Sequence, residues 1–161
     1  MKQPLTLSLF ITLALVAGCT KQSETVAPAT AATPKHEHKP PHGGTPVVLG
    51  AELYHVELVL DAATGRLQAY VFDGELENFI RSAVPALSIT ATVQGTPRTL
   101  LLPTVANPAT GESVGDTALF EAQADWLKGV MEFDGTLESI TIRGTTFTGV
   151  KFNFPKGNDR D

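Results

Sequence analysis

From Val47 onward, apolar and polar residues alternate in short runs, which is the pattern of β-strands with one buried face. The run AELYHVELVL puts four apolar side chains on one face, namely Tyr54, Val56, Leu58 and Leu60. Its other face carries Leu53, His55, Glu57 and Val59, because successive side chains point in opposite directions. The turn DAATG and the run RLQAYVF follow, so residues 52–72 are predicted to form a β-hairpin.

Five further alternating runs follow at short intervals: ALSITATV, RTLLLP, TALFEAQ, ESITIRG and TFTGVKFNF. Only residues 74–82 and the stretch around Trp126 have the composition of helical turns. Pro85 limits the length of the first, and Gly129 limits the length of the second. About seven strands in about 110 residues predict an all-β fold, a small antiparallel β-sandwich of the immunoglobulin-like kind. The predicted domain spans residues 47–155, and residues 156–161 form a polar tail.

The first 18 residues have the pattern of a secretion signal. Lys2 precedes an apolar run from Leu5 to Val16 that is too short for a permanent membrane span. The residues Val16-Ala17-Gly18-Cys19 resemble the lipobox of bacterial lipoproteins. This resemblance implies cleavage before Cys19 and lipids on that residue, which would anchor the chain to the membrane. Thr20 follows instead of Asp, and by resemblance to lipoprotein sorting this favours the outer membrane, with the domain facing the periplasm.

Cys19 is the only cysteine of the chain, and its lipidation would leave the mature domain without a thiol. A disulfide, a Cys nucleophile and a thiolate metal site, including a blue-copper centre, would then be excluded. The chain has 12 basic and 17 acidic residues and a net charge of −5, and losing Lys2 makes the mature form more acidic. This balance gives no indication of nucleic-acid binding.

Residues 19–46 are interpreted as a linker, because Pro, Ala and Thr dominate and large apolar residues are rare. This linker contains HEHKPPHGG, with three of the four histidines: His36, His38 and His42. In an extended chain, His36 and His38 point the same way, and Gly43-Gly44 lets the backbone fold back. Imidazole suits Cu(II) and Zn(II), so the cluster predicts weak, exchangeable binding of one of these ions.

Two alternatives stay open for the histidines. The cluster at residues 36–42 is equally compatible with a passive linker that happens to be rich in histidine. His55 and Glu57 are a second candidate pair of ligands if their strand face is open. For His55, a polar residue on the outer sheet face is the favoured interpretation.

The order HEH, PHGG, YHVELVLD and GRLQAYVFD, from His36 to Asp73, resembles small periplasmic lipoproteins and adaptor-associated segments of heavy-metal efflux systems. The resemblance implies a role in metal stress, with His36, His38, His42 and His55 as candidate ligands. It also implies an efflux protein or another envelope protein as partner. The long coiled-coil hairpin of the adaptors is missing from this sequence, so the resemblance does not extend to their bridging role.

Catalysis is not predicted. His55 is the only histidine in the predicted domain, and the sequence has no GxSxG elbow, no HExxH motif and no glycine-rich phosphate loop. The predicted function is therefore that of a lipid-anchored periplasmic protein that binds Cu or Zn ions. The alternative is a non-catalytic interaction module in which the histidine-rich segment is a passive tether.

Overall fold

A computed structural model describes residues 39–159, which form two four-stranded antiparallel sheets packed face to face. The strands are β1 (Thr45–Leu49), β2 (Tyr54–Asp61), β3 (Arg66–Asp73), β4 (Ala86–Val93), β5 (Thr96–Pro103), β6 (Leu119–Gln123), β7 (Phe133–Ile142) and β8 (Thr145–Phe154). The predicted all-β sandwich is confirmed, with eight strands in place of about seven. The predicted hairpin over residues 52–72 is β2 and β3.

Sheet 1 has the order β1-β2-β3-β6, and sheet 2 has the order β5-β4-β7-β8. Immunoglobulin domains place their strands A, B, E and D in one sheet, so that the second strand pairs with the fifth. Here the second strand pairs with the third, and the sixth strand returns to pair with the third. The sandwich architecture is that expected, whereas the strand connections differ from those of an immunoglobulin domain.

The core lies between the sheets and follows the alternation that the sequence shows. Leu87, Ile89 and Ala91 of β4 are buried together, as are Val56 and Leu58 of β2. Phe120 is also fully buried, and Trp126 packs against the core at its edge. The inner faces are therefore occupied by aliphatic and aromatic side chains, and any polar site on sheet 1 must lie on its outer face.

The connections between strands are mostly turns. A single 3-10 turn at Asp125–Leu127 confirms the turn predicted around Trp126, whereas residues 74–82 contain no helix. The long polar connection after β5 contains a second 3-10 turn, Pro108–Thr110. Within residues 39–159, no helix has the length and apolarity needed to cross a membrane.

The folded region begins earlier and ends later than the sequence predicts. β1 starts at Thr45, and residues 40–44 already lie on the outer face of sheet 1. At the other end, Asn158 accepts a hydrogen bond from the Val48 N–H at 2.7 Å and donates one to the Val48 carbonyl at 3.1 Å. The C-terminal turn thus pairs with the free edge of β1, which would otherwise present unpaired backbone groups.

Candidate metal-binding site at His42

The residues Pro40-Pro41-His42-Gly43 form a tight turn just before β1. The Gly43 N–H donates to the Pro40 carbonyl at 3.0 Å, which closes the turn. Pro41 suits the second position of such a turn, since its ring restricts φ to the required value. Gly43 has a φ of +67°, a conformation that glycine adopts at little cost. The turn directs the His42 side chain back over sheet 1.

Gly44 brings the turn into close contact with β2. A Cβ atom at this position would lie 2.5 Å from the Leu58 carbonyl oxygen and 2.9 Å from Glu57 Cγ. Only a residue without a side chain fits at this distance. The two glycines of PHGG thus have different roles, because Gly43 supplies the backbone conformation and Gly44 supplies the close approach.

Glu57 holds this segment through its carboxylate, which is fully buried. Oε1 accepts hydrogen bonds from the backbone N–H groups of His42 and Gly44, both at 2.8 Å. Oε2 lies 2.7 Å from Nδ1 of the His42 ring. A buried carboxylate is tolerated only when charge-assisted hydrogen bonds compensate for its lost hydration, and these three bonds have that effect. Residues 42–44 therefore both bury the Glu57 carboxylate and supply its hydrogen-bond donors.

The contact with Glu57 determines the tautomer of His42. An ionised carboxylate only accepts hydrogen bonds, so Nδ1 must carry the hydrogen. In the neutral ring the lone pair is then on Nε2, the nitrogen that does not face Glu57. About a third of the His42 side chain is exposed (35%), whereas Glu57 has no exposure. This is the arrangement of metal-binding histidines, whose second ring nitrogen donates to a carboxylate.

Tyr70 supports the imidazole from below. The two ring centroids are 4.0 Å apart and the planes differ by 13°, which is a stacked geometry. Tyr70 lies directly opposite Glu57 in the β2–β3 ladder, so the strand register places it under His42. Burial raises the pKa of Tyr70, and the carboxylates of Glu121 and Glu57 raise it further. Its phenol therefore stays neutral near pH 7 and acts as a platform for the ring.

Phe72 and Phe79 complete an aromatic surround. Their rings stack with centroids 4.6 Å apart, and each lies about 6 Å from the His42 ring (6.2 and 6.1 Å). The loop that carries Phe79 is held by Asp73, which accepts hydrogen bonds from Glu77 N–H and Asn78. Burial opposes ionisation of Asp73, but the hydrogen bonds from Asn78 and the backbone lower its pKa overall. The ionised carboxylate thus keeps Phe79 against the site.

A small apolar cleft adjoins this surround. It encloses about 110 Å³ between Tyr70, Phe79 and Leu119, with Glu112 at its rim. Phe79 is 55% exposed, so much of its ring faces solvent beside the cleft. On the outer face of sheet 1, the partly exposed His42 ring therefore lies beside an exposed aromatic surface.

The structure brings together two of the five predicted metal-site residues, His42 and Glu57. His36 and His38, like the predicted lipidation site Cys19, lie outside the described residues. Glu57 is buried behind His42 with both oxygens engaged, so its geometry is that of an orienting partner. In the described part of the chain, no group of three or more His, Cys, Asp or Glu side chains is arranged to hold a metal ion.

The structure places His55 on the outer face of sheet 1 but does not expose it to solvent. His55 shares the outer face of β2 with Glu57, as predicted, but its side chain is fully buried. Its Nδ1 lies 3.3 Å from the Asp73 carbonyl oxygen. The face that carries His55 and Glu57 is thus covered, and a direct pair of ligands at these two positions is not open to solvent.

Sequence reasoning missed the aromatic residues around His42. Tyr70 and Phe72 alternate with the core residues of β3, so their outward direction was readable from RLQAYVFD. The direction of the Phe79 side chain could not be inferred in this way, because Phe79 lies in an irregular loop. No protein-family model, curated protein sequence or solved structure matches this chain.

Proposed function

We propose that this protein binds a divalent metal ion, Cu(II) or Zn(II), through His42 and the histidines that precede it, and that it does so as a lipid-anchored protein of the bacterial envelope. The role is one of binding or delivery, without catalysis, in association with a metal efflux system. The signal segment, Cys19 and the order of the histidines in the sequence support the location and the association.

One observation carries the proposal: a fully buried glutamate holds a partly exposed histidine by its Nδ1 atom. Burying a carboxylate costs several kcal/mol before its hydrogen bonds compensate. A histidine that served only as linker would not require this orientation. The outcome of the arrangement is an imidazole that, when neutral, carries its lone pair on Nε2, the nitrogen that does not face Glu57.

The remaining ligands would come from His36 and His38. Both are close to His42 in sequence, and an extended chain would let their side chains point the same way. Three imidazoles and water suit Cu(II) best, with Zn(II) below it in affinity. Because two of the ligands would come from the segment before the domain, we expect exchangeable binding with His42 as the pre-oriented ligand.

Changing His36, His38 and His42 together to Ala is expected to abolish uptake of Cu(II) or Zn(II) by the mature protein in equilibrium dialysis. His42→Ala alone is expected to weaken binding by about tenfold or more, since the pre-oriented ligand is lost. The matched control changes Thr25, Thr30 and Thr33 to Ala in the same segment, which removes three polar side chains but leaves the histidines in place. Undiminished uptake by the triple histidine variant would reject this site.

A second candidate function is a non-catalytic interaction module, and the exposed Phe79 beside the apolar cleft favours it. Exposed aromatic side chains that border a pocket are frequent anchors in protein interfaces. In this case the partner is another envelope protein, bound by the outer face of sheet 1, and the histidine-rich segment is only a spacer.

Phe79→Ser is expected to remove partner capture from solubilised membranes if the interaction module is the function. Leu101→Ser is the matched control, because Leu101 is similarly exposed (62%) but lies on β5 of sheet 2. The histidine triple variant should retain the partner in the same pull-down. Capture that survives Phe79→Ser, or is lost equally in Leu101→Ser, counts against an interface at Phe79.

A further inference from the structure

A second cleft lies at one end of the sandwich, away from His42. It encloses about 480 Å³, within the range of small-molecule sites. Its walls come from the turn between β4 and β5 and from residues 128–132, and Arg98 and Trp126 lie between these walls. The β4–β5 turn and the connection between β6 and β7 thus line one concave surface.

Arg98 enters this cleft from an inward-facing position of β5. It shares a strand face with Leu100 and Leu102, which are buried, and it pairs with the buried Ala91 of β4. At the end of the strand its side chain reaches solvent, and the guanidinium carbon lies 5.8 Å from the centre of the Trp126 ring. A cation over an indole face is attracted by the ring quadrupole, which restricts the position of the guanidinium.

The guanidinium of Arg98 is not ion-paired in the part of the chain from 39 to 159. The salt bridges of Arg and Lys there involve Arg66, Arg81 and Lys128. Lys128, the other cation of the cleft, pairs with Asp125 at 2.6 Å. Arg98 is therefore a charged group with a planar set of donors, positioned by an aromatic ring and not ion-paired within residues 39–159.

We propose that this cleft binds an organic anion. A carboxylate or phosphate group would accept two hydrogen bonds from the guanidinium of Arg98, the geometry in which Arg recognises oxyanions. The apolar body of the ligand would contact Trp126 and Met131, whose side chain is 72% exposed in the cleft wall. Met is suited to such a wall, because its flexible thioether adapts to irregular shapes.

Glu132 limits the charge that the ligand carries. Its carboxylate belongs to the same wall as Met131 and repels a second negative group. The cleft should therefore prefer a single anionic group on an apolar or ring-shaped body over a compact polyanion. This site is separate from His42, and its test does not depend on metal binding.

Trp126 is the only tryptophan of the chain, so its fluorescence reports directly on this cleft. The metal-free mature protein is titrated with phenyl phosphate, benzoate, inorganic phosphate and neutral benzyl alcohol. We expect a saturable change with phenyl phosphate or benzoate and none with benzyl alcohol. Arg98→Gln should weaken the response about tenfold or more, and Glu132→Gln should strengthen it. If Arg98→Gln fails to fold, Arg98→Lys replaces it, because it keeps the charge but loses the planar donors.

The control is Arg143→Gln, which removes the same charge at the β7–β8 turn, at the opposite end of sheet 2. Its titration should match that of the unmodified protein, and His42→Ala should match it as well. The proposal is overturned if none of the anions gives a saturable change, or if Arg98→Gln responds like Arg143→Gln. Equal affinity for inorganic phosphate and phenyl phosphate would overturn the contact with an apolar body.

Discussion

Glu57→Gln is expected to weaken Cu(II) or Zn(II) binding about 10- to 100-fold while the domain stays folded. The side-chain oxygen of Gln must face the backbone N–H groups of His42 and Gly44, because two donors there exclude an NH₂ group. The NH₂ group of Gln then faces His42 Nδ1, which must become an acceptor. The hydrogen of the imidazole moves to Nε2, and the lone pair that would bind the metal is lost.

The measurement combines calorimetric metal titration with the NMR tautomer of His42, whose ring nitrogens report directly which of them carries the hydrogen. Glu121→Gln is the matched control, since Glu121 is a neighbouring outer-face carboxylate that accepts a hydrogen bond from Gln68. An unchanged affinity in Glu57→Gln, with the tautomer reversed, would mean that the metal does not use Nε2 of His42. The unfolding free energy should fall only by about 1 kcal/mol, because one charge-assisted acceptor becomes neutral.

The strands could be predicted because their information is local. In β4, apolar residues occur at every second position, and the burial of Leu87, Ile89 and Ala91 follows directly from that period. The strand connections are not local. β6 pairs with the edge of β3 that β2 leaves open, and the sequence of β6 carries no sign of this partner.

The predicted start of the domain, Val47, is too late, because it was placed where large apolar residues become frequent in the sequence. Residues 40–44 contain no large apolar side chain, so their composition is that of a linker. What orders them is a set of hydrogen bonds to a glutamate 13 to 15 positions away, together with a stacked tyrosine. Such long-range polar contacts leave no periodic pattern in the sequence. The two consecutive glycines of PHGG indicated only that the backbone can fold back at this point.

His55 shows a related limit. Alternation correctly placed it opposite the core face of β2, and an outer face is normally solvated in an antiparallel sheet. On this sheet the loops before β1 and after β3 cover part of the outer face, at Glu57 and at Phe72. The direction of a side chain is thus readable from a strand pattern, whereas its burial depends on loops whose path the pattern does not describe.

Gly44→Ala is expected to destabilise the domain by about 3 kcal/mol, because the new Cβ would lie 2.5 Å from the Leu58 carbonyl oxygen and 2.8 Å from Val59 Cγ2. The backbone oxygen belongs to the β2 ladder and cannot move aside, so residues 40–44 must lift off the sheet. This breaks the hydrogen bonds to Glu57 and leaves its carboxylate with too few partners. The same displacement removes His42 from its orienting contact, so the metal affinity should fall together with the stability.

Gly43→Ala is the matched comparison, since a Cβ there meets no atom within 4 Å and only the positive φ of +67° is unfavourable. That conformation costs an alanine about 1 kcal/mol, and the hydrogen bonds to Glu57 can persist. Urea unfolding of both variants with metal titration separates the two effects. If Gly44→Ala and Gly43→Ala lose equal stability, or if Gly44→Ala binds metal normally, then close contact of this turn with β2 does not position His42. The physical basis of the site would then have to be sought in His36 and His38 alone.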